Sequence, residues 1–330
     1  MHRFIPLLLI LLSSCAREKP APESFTGLAM TMPYHVMTAA APTERDKIKE
    51  IIAFTFATIN ATYNKWNPDS ELSMINKAPA KQTLVLSPAL ESFLHATDSM
   101  VTISNGRFDP TIETIQGIWK ESLQKGELPR IPARLIAAVG WNTLTINQGS
   151  ITKEHHETQI DLGGIAKGLC VDFMIESLNA AGFPNCYVEW GGEIRTSGMH
   201  PAGRPWKVAI SKPGSNSGET IAELELKDQA IATSGDYFQQ WRVGDEIYFH
   251  IINPVTCMPL KAEEGSICSA TVVAPTCAIA DALATTAMLF PCFDEAKQWA
   301  VEVQEKHPEV SFWLVRREHP RDPEPSAPVL

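Results

Sequence analysis

The chain has 330 residues, 44% of them hydrophobic and 20% charged, an ordinary globular balance. That length suits one large domain or two lobes sharing a core. A formal net charge of −10 argues against a nucleic-acid partner, which needs a basic face, but leaves room for a nucleotide held by a local positive site. Seven cysteines without a CxxC pair or zinc-ligand spacing point to neither a disulfide scaffold nor a zinc module.

Met1-His2-Arg3 is a short basic start. Phe4 to Leu12 is an apolar run too short to span a bilayer, closed by Leu12-Ser13-Ser14-Cys15. This order resembles a bacterial lipoprotein signal, residues 1–15, with Cys15 as the lipidated residue. Residues 16–27, rich in proline and charge, are expected to be a flexible tether. The expected location is the bacterial cell envelope. There the chain is lipid-anchored to a membrane with its domain outside the cytoplasm, on the periplasmic side in a Gram-negative cell.

Ala29 to Thr38 is β-like. Thr43 is placed to cap a helix whose stripe is Ile48, Ile51, Ile52, Thr55, Phe56 and Ile59. A polar turn with aromatics, 63–71, leads into a short helical turn over Ser70 to Asn76. Ser87 then Pro88 open a helix carrying Leu90, Phe93, Leu94 and Met100. Helical residues resume to Trp119, and 141–160 holds short alternating runs that suit strands. Further strands are expected at Cys186–Trp190, Trp206–Ile210, Ile221–Leu226, Ile247–Ile252 and Ser269–Val273. The final helix is expected from about Ala278 to Phe290, and the chain beyond Arg316 reads as a disordered tail, 317–330. Strands and helices alternate, with hairpin-like pairs among them: an α+β fold mixed with α/β.

Two stretches carry chemistry. Ile160-Asp161-Leu162-Gly163-Gly164-Ile165-Ala166-Lys167-Gly168 reads as a strand end, a glycine turn and a helix start. Val171, Ile175 and Leu178 give that helix one apolar face, and Gly182 sits at its C-terminal cap position. Unpaired N–H groups and the positive dipole end make such a start an anion site for phosphate, unless the glycines serve the turn alone. In the last helix Asp281 and Thr285 share a face. Their oxygens suit magnesium, the alternative being that Thr285 bonds back to the carbonyl of residue 281.

Five blocks in order resemble the ApbE family of FAD:protein FMN transferases: Trp66 to Asn76 (WNPDSELSMIN), Gly106 to Trp119 (GRFDPTIETIQGIW), Ile160 to Asp172 (IDLGGIAKGLCVD), Glu189 to Ser211 and Ala230 to Ala287. The resemblance covers nearly everything between Gly27 and about Arg316. It implies a T-fold-like single large domain over 28–316, with FAD in a cleft between two lobes. It implies Mg2+-dependent transfer of FMN from FAD to a threonine or serine of an acceptor protein, releasing AMP. The acceptor would be a membrane-associated redox subunit. Carried over by motif, Met30, Trp66, Arg107, Phe108, Asp109, Asp161, Lys167 and Ile252 bind FAD. Asp281 and Thr285 hold the metal by side-chain oxygens and Gly164 by its backbone carbonyl, with Ala284 contributing its carbonyl or lying close by, and His250 assists phosphoryl transfer, its plainer role being a strand-end hydrogen bond. This sequence departs from the family at Thr31 (usually glycine), Trp66 (often tyrosine), Asn253 (usually aspartate) and Cys257 (usually glycine). Two other outcomes share these residues: an FAD pyrophosphatase with water as acceptor, and a non-catalytic FAD-binding lipoprotein.

Overall fold

The structure is a computed structural model that describes residues 22–213, 219–237 and 239–319. Cys15 and the predicted signal lie outside the described residues. In chain order come the hairpin β1 (Pro22–Ala29) and β2 (Met32–Ala39), α1 (Arg45–Thr62), α2 (Glu71–Lys77), β3 (Leu84–Val85) and α3 (Pro88–Ile103). Then follow α4 (Glu113–Gln124), the single turn α5 (Ala133–Ile136), β4 (Leu144–Asn147), β5 (Ser150–Lys153) and α6 (Ala166–Ala180). Next are β6 (Cys186–Trp190), β7 (Glu193–Ser197), β8 (Trp206–Ser211), β9 (Thr220–Leu226), β10 (Ala230–Gly235), β11 (Gln240–Val243) and β12 (Glu246–Asn253). The chain closes with β13 (Met258–Lys261), β14 (Ile267–Ala274), α7 (Cys277–Met288), α8 (Phe293–Lys306) and β15 (Ser311–Arg316).

Seven strands form the main sheet in the order β1-β2-β6-β7-β10-β14-β15, every pair antiparallel. Strand alternation sends side chains to two different layers. Ala270, Val272 and Ala274 face the helices, packing with Ala280, Leu283 and Ala287 of α7. Val273 and Ile231 face the other way, against Val208, Ile210 and Leu226 of the β8–β9 hairpin. With both faces covered, all eight residues of β14 are buried. A separate cluster joins Ile115, Trp119 and Leu123 of α4 to Tyr248 and Ile252 of β12. This smaller unit is built on the β11-β12-β13 sheet.

Local signals hold where they are self-contained. The Ser87 hydroxyl accepts from Leu90 N–H at 3.2 Å and caps α3. Gly182 has φ +99, and Phe183 N–H reaches the Leu178 carbonyl at 3.0 Å, closing α6 in a Schellman motif. Other expectations need correction. α1 begins at Arg45 behind a 3-10 turn, so Thr43 is not its cap. The tether reading of 22–27 fails because β1 starts at Pro22, paired along its length with β2 and pinned by Phe25 in the core. α8 and β15 follow the helix expected to be last. The fold also reaches past Arg316: the buried guanidinium of Arg317 donates to Asp236 Oδ2 at 2.6 Å. Among the described residues, no helix is long and apolar enough to cross a membrane.

α6 and α7 cross closely, and Gly168 is why. A Cβ there would sit 2.3 Å from the Cys277 carbonyl oxygen, a backbone atom that cannot step aside. Asp172, one turn on, accepts from Cys277 N–H at 2.8 Å and Ala278 N–H at 2.9 Å, and also holds Arg195 at 2.8 Å. It thereby caps α7 from another helix. Gly168→Ala is expected to lower stability by about 2–3 kcal/mol, the upper range for overpacking. Urea denaturation would measure it.

Candidate active site

The cleft lies between the main body and the smaller unit. One cavity of about 390 Å3 is lined by Gly163 and Gly164 before α6, Glu193 of β7, Ser234 of β10, and Asp281 and Thr285 of α7. It continues, through Met32, Gln116, Asp161, Lys167, His250 and Ile252, into a second of about 370 Å3 walled by Trp66, Lys65, Lys120 and Trp241. Each is at the small end of the roughly 300–1,000 Å3 typical of ligand sites. Joined, they make one elongated site with a polar end and an aromatic end.

The polar end is built around Lys167 in the first turn of α6. Its ammonium touches Glu193 Oε1 and stands 3.8 Å from Asp281 Oδ1. Asp281 Oδ2 accepts from Gly168 N–H at 3.1 Å. The anion at the start of α6 is therefore the protein's own carboxylate rather than an open phosphate position. Gly163 N–H is taken too, by Asp161 Oδ1 at 2.8 Å. Burial pushes the carboxyls of Glu193 and Asp281 up, with Lys167 opposing. Burial alone would lower Lys167; Asp281 and Glu193 outweigh it and raise the ammonium's pKa above its usual range.

With both carboxyls ionised, one ammonium facing two carboxylates leaves a negative charge in excess, and such a site repels phosphate. A divalent cation corrects that sign. Thr285 Oγ1 and Ser234 Oγ lie 3.0 Å apart beside Asp281 in the same cavity. Gly164 abuts them: a Cβ on it would lie 3.2 Å from Thr285 Oγ1 and 3.1 Å from Phe108. Among the described residues no three His, Cys, Asp or Glu side chains group as a metal site. The donors here are hard oxygens, the chemistry of magnesium rather than zinc. The residues present fit such an ion.

At the junction of the two cavities sits His250 on β12. Burial pushes it below its ordinary 6.5, with Lys167 and Lys120 adding to the shift and Asp161 and a backbone hydrogen bond at Gln239 opposing. The ring is neutral at neutral pH. Its Nδ1 is buried with no partner among the described residues. Beside it, Asp161 is anchored by Lys65 at 2.9 Å, which also binds Glu113 and, at 3.2 Å, Gln116. Trp66 is 71% exposed, an open ring with Lys65 4.9 Å and Lys120 5.4 Å from its centroid.

The structure thus brings Trp66, Phe108, Asp109, Asp161, Gly164, Lys167, His250, Ile252, Asp281 and Thr285 to one cleft. Asp109 spends its carboxylate on the loop, accepting from Thr111 at 2.9 Å and 2.6 Å and from Trp141 N–H at 2.7 Å. Two expectations are displaced. Met30 sits in the β1–β2 turn at φ +48, next to Thr31 at +68, and Met32 lines the cleft instead. Arg107 lies in a separate groove, 4.3 Å over the Phe290 ring and 3.9 Å from Glu295. Ala284 packs its side chain in the core, which leaves its backbone for the carbonyl role expected of it. Glu193, Lys65 and Ser234 are site residues the sequence reading missed. Glu193 has a visible signal: a carboxylate straight after a double glycine, at the head of a strand.

The departures at 253 and 257 are absorbed locally. Asn253 Oδ1 accepts from Val255 N–H at 2.9 Å, the turn bond a carboxylate would also make. Cys257 takes φ +54, a conformation that favours glycine, while its buried thiol packs with Trp119.

A family model described as the ApbE family matches residues 30–311. A Chlamydia pneumoniae protein named FAD:protein FMN transferase is 41% identical over 305 residues, covering 91% of this chain and 94% of that one. A Vibrio cholerae serotype O1 protein of the same name is 31% identical over 289 residues, 85% of each chain. The solved structure of the flavin transferase ApbE from Vibrio cholerae matches with a TM-score of 0.76 at 26% identity, covering 93% of this chain and 96% of that chain.

Proposed function

This chain belongs to the ApbE family, and from that premise we propose that it is an FAD:protein FMN transferase using magnesium. FAD is the substrate, a threonine or serine hydroxyl of an acceptor protein is the nucleophile, and AMP leaves. The observation that supports this best is the pairing of an oxygen-donor pocket holding two carboxyls and one ammonium with a neutral histidine whose Nδ1 has no partner among the described residues, in one elongated cleft.

The acceptor hydroxyl oxygen bonds to the FMN-side phosphorus, and the bond from that phosphorus to the AMP oxygen breaks. AMP departs with the electron pair. His250 Nδ1 takes the hydroxyl proton, a role open to it because the ring is neutral and that nitrogen has no partner among the described residues. Asp281 and Thr285, with the backbone carbonyls of Gly164 and Ala284, would hold the magnesium, which neutralises charge on the two phosphates when bound. Trp66 and Ile252 offer apolar surface to the flavin system, and Phe108 closes the wall behind Gly164. The lipobox ending at Cys15 supports an anchored protein in the cell envelope, with a membrane-associated redox subunit as acceptor.

The full chain in detergent, incubated with FAD, Mg2+ and a threonine-bearing redox subunit, is expected to leave covalent flavin fluorescence on the acceptor in a denaturing gel, with stoichiometric AMP. AMP released equally without acceptor would identify a pyrophosphatase instead. Tight FAD binding with no AMP under either condition would identify a flavin carrier.

A further inference from the structure

Glu193 opens β7 directly after Gly191 and Gly192, whose φ values are +63 and +101. That double left-handed turn drives the side chain into the cleft wall beside Asp281 and Thr285. The residue is 1% exposed. Oε1 receives the Lys167 ammonium, but Oε2 is buried with no hydrogen-bond partner among the described residues. Native proteins leave few buried carboxylate oxygens unpaired, because the lost solvation is not returned. A neutral donor would satisfy that oxygen and leave the excess negative charge untouched. A cation does both.

We propose that Glu193 is a second carboxylate of the divalent-cation site, and that Lys167 holds the cation's electrostatic place between Glu193 and Asp281 until it binds. This rests on the magnesium reading of the cleft given above. It accounts for an ammonium whose charge is spent on the protein when two phosphates are the expected ligands. Once a divalent ion neutralises the carboxylates, Lys167 is released toward the phosphates. Glu193 thus acts on the ion directly and on the substrate through Lys167.

The test is Mn2+ binding to the full chain in detergent, without FAD or acceptor, read from the loss of the free-ion paramagnetic resonance signal. The native chain is expected to retain Mn2+. Glu193→Gln should raise the dissociation constant at least tenfold. Lys167→Met should lower it several-fold, because the competing ammonium is gone. In that background Glu193→Gln should again cost about tenfold, the signature of direct ligation. The proposal is overturned by Glu193→Gln binding within twofold of the native chain, or by its effect vanishing in the Lys167→Met background. Failure of all four chains to hold Mn2+ overturns it too. Should Glu193→Gln not fold, the comparison of Lys167→Met with the double variant decides alone, since there the buried pair is removed together. Because neither FAD nor acceptor is present, the result is independent of whether FMN transfer is found.

Discussion

Asp281→Ala is expected to suppress AMP release and acceptor flavinylation by about 10^3-fold or more, the scale of losing a central electrostatic stabiliser. Three functions leave with one side chain. The proposed cation site loses a carboxylate, Gly168 N–H loses its acceptor, and Lys167 loses the farther of its two counter-charges. FAD affinity should fall far less, because Trp66 and the apolar wall lie at the other end of the cleft. AMP by chromatography and FAD by quenching of flavin fluorescence separate the two effects. Asp281→Asn keeps the volume and the bond to Gly168 N–H, so it should show the same catalytic loss with the fold intact. Undiminished AMP release from either variant would remove Asp281 from the reaction.

His250→Gln is expected to lower single-turnover transfer by about 10^2–10^4-fold, the usual yield of a positioned base, with FAD binding little changed. The native pH profile provides a second check. Burial and the nearby Lys167 and Lys120 depress the imidazole below 6.5 against the opposing pull of Asp161 and the Gln239 backbone. A base works in its neutral form. Transfer should therefore stay level as pH falls through 6.5 and decline only further into acid. A decline centred at or above 6.5, or one persisting in His250→Gln, would assign that limb to another group.

What could be read from the sequence was what neighbours in the chain decide. Ser87 caps α3 three residues away, and Gly182 ends α6 with bonds inside one turn. β6 alternates between a core face and a half-buried one because it is covered unequally on its two sides. The predicted site residues that the fold gathers into one cleft were those carried by long motifs. Their partners were hidden because they are distant: Lys167 meets Glu193 across 26 positions, and Gly168 meets Asp281 across 113. The glycine-rich turn illustrates the difference. Its sequence promises free N–H groups for a ligand, while the fold gives Gly163 N–H to Asp161 and Gly168 N–H to Asp281. Arg107 and Met30 each lie one or two residues from a true cleft residue, Phe108 and Met32, which is the resolution at which a motif specifies position. α8 is a different case. Its stripe of Phe293, Ala296, Trp299, Ala300 and Val303 is present in the sequence. Pro291 and Cys292 mask it by reading as the end of the helical region.

The main sheet adds strands in the order in which they occur along the chain, each antiparallel to the one before. A polypeptide emerging from the synthesis machinery can lay down such a sheet edge to edge without waiting for its last strand to start. The reactive centre cannot be built that way. Lys167 and Glu193 come first, and Asp172 waits with them for a helix start still about 100 residues away in the chain, as loop closure at that distance is slow. Only when α7 docks do Asp281 and Thr285 arrive beside them. A chain that stops before α7 therefore holds six of the seven sheet strands but neither Asp281 nor Thr285.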